Sequence, residues 1–228
     1  MKKLYRTALL AALGLASMVT AQAATYNGDL IVGFTTQSGS DVIYDLGAES
    51  SLTSGETWNL SSLLSGFSSL SGVNWGVIGA QNNSGTRNLW STTSGFTPDP
   101  VAGIAAWNKD NTAIASIYSN FGIAGAGQSL SITSTDDNSW NMQTINGSLG
   151  AQFINAYGNN PNVQGLTSDS LYGIVAGGSD PTLLGSFALD NTGTLTFTAV
   201  PEPITFGAFA GAGLLLVSLR NQLRRKQA

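Results

Sequence analysis

The side chains available for chemistry are carboxylates, hydroxyls and amides, because the 228-residue chain has no histidine and no cysteine. Imidazole ligands, histidine-based triads, disulfides and thiolate metal sites are therefore excluded. Asp136 and Asp137 are adjacent carboxylates, and Glu49 and Glu56 lie seven residues apart in a turn-rich stretch. Adjacent residues of a strand point to opposite faces, so Asp136 and Asp137 do not make the facing pair that a glycosidase needs. The sequence predicts a protein that is not an enzyme.

Oxygen ligands for calcium are plentiful, yet no segment matches the acidic calcium loop with its central glycine. Asp136-Asp137-Asn138 and Asp190-Asn191 are typical of turns in which the side chain hydrogen-bonds its own backbone. We expect neither a metal nor a cofactor.

An exposed tryptophan would offer a stacking platform for a sugar. Trp75 and Trp107 lie in apolar segments and are predicted to be buried. Trp58 and Trp140 are flanked by polar residues, which makes them the surface candidates.

Charge is segregated along the chain. Seven of the nine basic residues lie near the two ends, whereas the stretch from Ala24 to Val200 has twelve acidic residues and only Arg87 and Lys109 as bases. Such an acidic surface repels phosphate backbones, so a nucleic-acid partner is excluded.

The amino terminus reads as a secretory signal peptide over residues 1–23. Lys2, Lys3 and Arg6 precede an uncharged run rich in Leu and Ala, and Ala21 and Ala23 supply the small side chains of a cleavage site. Removal by signal peptidase after Ala23 is the prediction, and an uncleaved membrane anchor is the alternative.

The carboxyl terminus has three parts in fixed order over residues 200–228. Pro201-Glu202-Pro203 cannot extend a strand or begin a regular helix, so it should stay extended and exposed. An uncharged apolar segment follows at 204–219, about 24 Å long as a helix, which is a marginal transmembrane span. The basic tail at 220–228 places its end in the cytoplasm through four side chains, Arg220, Arg224, Arg225 and Lys226.

This order resembles the PEP-CTERM sorting signal of exported bacterial proteins, whose tail also carries the name ice-binding protein C-terminal domain. The resemblance implies a Gram-negative envelope and processing near Pro201, Glu202 and Pro203 by exosortase, an integral membrane protease. It also implies an inner-membrane-tethered precursor that faces the periplasm, and then delivery to the cell surface or to extracellular polysaccharide. An ordinary tail anchor is the alternative interpretation.

Between these ends, residues 24–199 are rich in Gly, Ser, Thr and Asn, which favour turns and strands over long helices. Strand periodicity predicts three hairpins, over 29–35 with 41–46, 74–80 with 88–93, and 183–189 with 194–199. Apolar spacing predicts short helices around Leu60 to Phe67 and Ile114 to Phe121, with a third candidate at 149–157. The predicted fold is mainly β, as a single β-sandwich-like domain.

The sequence therefore predicts an exported, non-enzymatic surface or extracellular-matrix protein, with biofilm polysaccharide as its expected surroundings. The alternative is a carbohydrate- or ice-binding module delivered by the same tail. A flat face of regularly spaced Thr would favour ice, and an aromatic groove would favour sugar. Thr194, Thr196 and Thr198 supply one strand of such a face.

Overall fold

The structure is a computed structural model that describes residues 28–70, 72–83, 86–93, 104–121, 125–146, 162–163, 168–177 and 180–201. The predicted signal peptide, the helix candidate at 149–157 and the transmembrane segment lie outside these residues. No helix within the described ranges is long and apolar enough to cross a membrane.

Strands dominate the described residues. Their bounds are β1 Asp29–Thr35, β2 Ser40–Ala48, β3 Thr57–Asn59, β4 Asn74–Asn83, β5 Thr86–Thr93, β6 Ser129–Thr133, β7 Asn162–Val163, β8 Ser168–Val175, β9 Thr182–Leu189 and β10 Thr194–Ala199. The helical elements are α1 Ser61–Leu64, α2 Ile104–Tyr118, a 3-10 turn at Glu49–Ser51 and a π-helical turn at Met142–Asn146.

The described strands form one antiparallel sheet in the order β3-β10-β9-β8-β5-β4-β1-β2-β6, with β7 paired to β4 off this path. The prediction of a mainly β domain is confirmed, but the strands lie in one continuous sheet and not in two stacked sheets. The reason is that the hairpins join edge to edge, since β4 pairs with β1 and β5 pairs with β8.

The sheet curls around a core on its inner face. Trp58 of the edge strand β3 and Val42 of β2, from opposite ends of the strand order, belong to the same cluster. Leu60 and Leu64 of the α1 region join it, so α1 packs inside the curl. The fully buried residues of the inner core include Leu30, Val32, Phe34, Val73, Trp75, Val77, Leu171, Phe187 and Leu195.

A second core covers the outer face around β1, β2, β4 and β5. Ile114, Ile117 and Tyr118 of α2 are buried there, as the predicted helical spacing requires. Trp140 completes this core from the segment that follows β6. The sheet is thus buried on both faces in this half.

The three predicted hairpins are confirmed as β1–β2, β4–β5 and β9–β10. The two helices are also found, although α1 is a single turn and α2 starts ten residues before Ile114. The strands β3, β6, β7 and β8 were not predicted.

Candidate functional site

The predicted processing segment begins directly after the last described strand. The last strand stops at Ala199, and the Val200 N–H donates to the Leu184 carbonyl oxygen at 3.0 Å. Pro201 is then exposed. Glu202 and Pro203, the bases Arg220, Arg224, Arg225 and Lys226, and the cleavage residues Ala21 and Ala23 lie outside the described residues.

The carboxylates singled out in the sequence do not converge. Asp136 Oδ1 accepts the Asn138 N–H at 2.9 Å, and Glu56 Oε2 accepts the Thr53 N–H at 3.1 Å, so both serve local turns. Asp190 Oδ1 does the same for its own hairpin, where it accepts the Thr192 and Thr194 N–H groups. Within the described ranges no three acidic side chains are grouped so that they could hold a metal ion.

A different set of acids does meet, around the hydroxyl of Tyr118. This hydroxyl lies 2.9 Å from Asp45 Oδ2 and 3.0 Å from Asp29 Oδ2, which places two carboxyl groups of neighbouring strands against one phenol of α2. Asp45 Oδ1 accepts the Gly47 N–H at 2.8 Å. We call Asp29, Asp45 and Tyr118 the carboxyl–phenol cluster.

Burial dominates the electrostatics of this cluster. It raises the pKa of Asp45, although the hydrogen bonds from Gly47 and Tyr118 oppose the shift. Burial and the adjacent carboxylates also raise the pKa of Tyr118, which therefore stays a hydrogen-bond donor. Asp45 and Tyr118 are closed to solvent, so they cannot reach a substrate. The cluster fastens α2 to the sheet.

Asp41 is a second buried acid on the same outer face. Its Oδ2 accepts the Asn141 N–H at 2.6 Å, and burial raises its pKa. Ser139 and Asn141 also bond to the Ser134 carbonyl oxygen, at 3.0 Å each. Ser139 and Asn141 flank Trp140 and are buried, and these hydrogen bonds satisfy their polar side chains inside the protein.

The tryptophan predictions are half right. Trp75 and Trp107 are buried, as predicted. Trp140, one of the two surface candidates, is not on the surface, since the side chain is 1% exposed. Trp58 is half-buried against Phe187, with 6.0 Å between ring centroids, so it offers no free stacking platform.

A cleft of about 600 Å³ opens beside one edge of the curled sheet. On one side lie β2 and the edge strand β6, and on the other lies the segment from α1 to Ser68, which follows the opposite edge strand β3. We call this space the seam cleft. The complete set of described lining residues is Thr36, Ser38, Gly39, Ser40, Val42, Leu63, Gly66, Phe67, Ser68, Ser129, Leu130 and Ser131.

The outer face of the sheet carries rows of small residues at β3, β10, β9 and β8. Cross-strand pairing aligns one row as Thr57, Thr196, Ala188 and Ser168, and a second row as Thr198, Ser186 and Ser170. All seven side chains are exposed or half-exposed. Strand geometry spaces them about 4.8 Å across strands and about 6.7 Å along each strand. We call these seven residues the hydroxyl face.

Comparison with protein-family models, with curated proteins and with solved structures finds no match for the chain. Function is therefore inferred from the tail and from the surfaces described above. Sequence reasoning missed the carboxyl–phenol cluster and the seam cleft. The pairing of Asp29 and Asp45 in a hairpin would have placed the two acids near each other, but nothing in the sequence pairs them with Tyr118.

Proposed function

We propose that the chain is an exported, non-enzymatic surface or extracellular-matrix protein that an exosortase-type protease sorts through its carboxyl terminus. The observation that carries this proposal is the ordered tail, in which Pro201-Glu202-Pro203 precedes the uncharged segment at 204–219 and the terminal basic cluster. In this proposal a signal peptidase removes residues 1–23, and the precursor stays tethered to the inner membrane with its body in the periplasm. Release then delivers the body to the cell surface or to extracellular polysaccharide.

The position of the tail relative to the fold supports this proposal. Val200 makes the last backbone hydrogen bond of the β10 end, and Pro201 is exposed immediately after it. A protease active site needs an extended segment, and the two prolines keep Glu202 out of any strand ladder. Cleavage at this point would leave β10 and its pairing with β9 intact.

Replacing Glu202 by Gln tests the sorting role, since the change removes the charge and preserves the size. We expect the variant to accumulate as a membrane-bound precursor with the thermal stability of the wild type. Mass spectrometry of the wild-type protein from its native host should find Ala24 at the amino terminus and a carboxyl terminus between Pro201 and Pro203. Asp190→Ala is the control, because it alters the hairpin turn and should leave processing unchanged.

Two results would contradict the sorting proposal. One is wild-type surface protein that still ends at Ala228. The other is normal release of the Glu202→Gln protein into the medium. That result would mean that the tripeptide only ends the last strand and that the tail is an ordinary membrane anchor.

The second candidate function is an ice- or carbohydrate-binding module carried by the same tail, and the hydroxyl face is the observation that favours it. In the sequence Thr194, Thr196 and Thr198 form only one row, whereas the pairing of β10 with β3 and β9 extends the array of small side chains over neighbouring strands. A regular, flat array of hydroxyl and methyl groups is the kind of surface that can match an ordered water lattice.

Thr196→Lys tests the ice-binding candidate by placing a long charged side chain in the middle of the hydroxyl face. If the face binds ice, this variant should lose the inhibition of ice recrystallisation that the wild type shows. Thr133→Lys is the matched control, since Thr133 is an exposed strand residue away from this face. Absence of inhibition by the wild-type protein would exclude the ice-binding role.

A further inference from the structure

The seam cleft exists because the curled sheet does not close. Among the described strands, β6 pairs only with β2 and β3 pairs only with β10, so these two strands are the edges. The segment from α1 to Ser68 fills part of the opening between them, and the seam cleft is the remainder. An edge strand also offers the backbone N–H and C=O groups of its unpaired side for hydrogen bonding.

The lining combines two kinds of surface. Ser129 and Ser131 pair with Tyr44 and Val42, whose side chains face the inner core, so both serines share that inner face. Instead of extending the apolar core to the sheet edge, β6 thus presents hydroxyls to the cleft. Phe67 is half-buried against the inner core and contributes its exposed part to the opposite wall.

Charge is absent from the described lining, although the body has twelve acidic residues and two basic ones. A ligand with ionic groups would find no countercharge there, and an anionic ligand would be repelled by the body as a whole. A purely apolar ligand would leave the serine hydroxyls without partners, which is unfavourable for a buried polar group. The lining therefore suits a neutral ligand with hydroxyl groups and apolar C–H patches.

We propose that the seam cleft binds a neutral oligosaccharide. Its C–H face packs on Phe67 and Leu63, and its hydroxyls exchange hydrogen bonds with Ser129, Ser131 and the hydroxyls of the β1–β2 turn. The cleft volume of about 600 Å³ is in the range of pockets that hold small organic ligands. The inference does not depend on the sorting proposal, because it rests on residues between Thr36 and Ser131 alone.

The test is calorimetric titration of the purified full-length chain with neutral hexasaccharides. The probes are hexamers of glucose, galactose, mannose and N-acetylglucosamine, with an oligogalacturonate as the charged comparison. We expect at least one neutral hexamer to bind with a Kd in the micromolar to millimolar range, and the oligogalacturonate not to bind.

Two variants locate the site. Ser131→Trp fills the cleft from the sheet edge and should abolish binding, and Phe67→Ala removes the apolar wall and should weaken it about tenfold. Thr198→Trp is the matched control, since it adds the same side chain to an exposed strand residue on the outer face, away from the lining. Unchanged circular dichroism and Tm for Ser131→Trp show that its effect is not a folding defect.

Three results would overturn the proposal. The first is that no neutral hexamer binds at millimolar concentration. The second is that binding persists in Ser131→Trp, or that Thr198→Trp weakens it equally, since either result puts the sugar elsewhere. The third is that the oligogalacturonate or an extended peptide competes for the cleft with higher affinity. None of these results depends on how the carboxyl terminus is processed, so a failed sorting proposal leaves this test intact.

Discussion

At the scale of single residues, the packing of Trp140 depends on two glycines that face each other across neighbouring strands. Gly33 of β1 pairs with Gly76 of β4. A Cβ atom on Gly33 would lie 1.9 Å from the indole ring, and one on Gly76 would lie 3.5 Å from it. The missing side chain of Gly33 therefore creates the space that Trp140 fills, and Gly76 lies beside it at an ordinary contact distance.

Gly33→Ala should destabilise the fold by about 3 kcal/mol, because the added methyl group requires the buried indole to move within a packed core. The free energy of unfolding from a denaturant titration measures this effect. Gly66→Ala is the control, since a Cβ there meets nothing within 4 Å and the residue has no positive φ. Its effect should stay within about 0.5 kcal/mol. Equal effects of the two substitutions would mean that Trp140 does not pack as described.

The sequence context of Trp140 explains why its burial could not be predicted. Ser139 and Asn141 flank it, and polar neighbours usually indicate exposure. Both flanking side chains reach the Ser134 carbonyl oxygen, and these bonds satisfy them inside the protein. Only the fold shows that the two glycines, more than sixty residues away, leave room for the ring.

At the scale of elements, the β9–β10 hairpin is held at its turn by one side chain. Asp190 Oδ1 accepts hydrogen bonds from the Thr192 N–H at 2.8 Å, the Thr192 hydroxyl at 2.7 Å and the Thr194 N–H at 2.9 Å. The Thr192 hydroxyl and these backbone groups lower the pKa of Asp190. The turn thus favours the ionised carboxylate.

Asp190→Ala should lower the Tm at neutral pH, since it removes all three hydrogen bonds. A lowered pKa in the folded state means that the stabilisation is present above the unfolded pKa and is lost as the pH falls through the folded pKa. The Tm difference between wild type and variant should therefore shrink in acid. Asp136→Ala removes a single side-chain hydrogen bond to a turn, so it should lower the Tm less than Asp190→Ala does. A Tm difference that does not change with pH would contradict this role of the charge.

The hairpins were the predictable elements of this fold. In β9–β10 the inward Leu195 and Phe197 alternate with Thr, and Asp190 to Gly193 mark the turn, so the local sequence suffices. The strand β6 was missed because it has only five residues, although its polar and apolar side chains alternate, and β8 was missed because its apolar residues do not alternate regularly. Ser129–Thr133 is short and mostly polar, and Ser168–Val175 is interrupted by Gly173. Both strands depend on pairing with a neighbour that the sequence does not identify.

At the scale of the whole molecule, acids with a raised pKa determine how the free energy of unfolding depends on pH. Burial raises the pKa of Asp41, Asp45 and Glu49. Between the unfolded and the raised folded pKa, the folded state binds more protons than the unfolded chain, so stability falls as pH rises. The stabilisation that these three acids contribute is fully present when the pH lies below about 4, the pKa of a carboxyl group in the unfolded chain.

The free energy of unfolding should therefore increase as the pH falls from 7 toward about 4, which chemical denaturation at several pH values would measure. Asp45→Asn should have a shallower pH dependence, because the amide has nearly the shape of the acid and does not titrate. Asp136→Asn is the matched control, since it makes the same substitution at an exposed acid. The prediction fails if the wild type loses stability steadily over this range, or if Asp45→Asn retains the full slope.

The candidate site could be predicted only where it is local in sequence. Pro201 to Pro203 and the basic tail form a contiguous pattern, so the sequence alone suffices to formulate the sorting hypothesis, which stays a prediction. The seam cleft combines the β1–β2 turn, the α1 region and β6, which are separated by long stretches of chain. Its position follows from which strands remain unpaired, and that is a property of the complete sheet.

The glycine pair under Trp140 also constrains the order of folding. Hairpins such as β1–β2 and β9–β10 join residues close in sequence and can form early, whereas Trp140 closes a contact with Gly33 over more than a hundred residues. If β1 slipped by two residues against β4, Ile31 or Thr35 would replace Gly33 opposite Gly76, and the indole would have no space. Trp140 therefore packs only on the correct pairing of β1 and β4, so its burial stabilises that strand register over a slipped one.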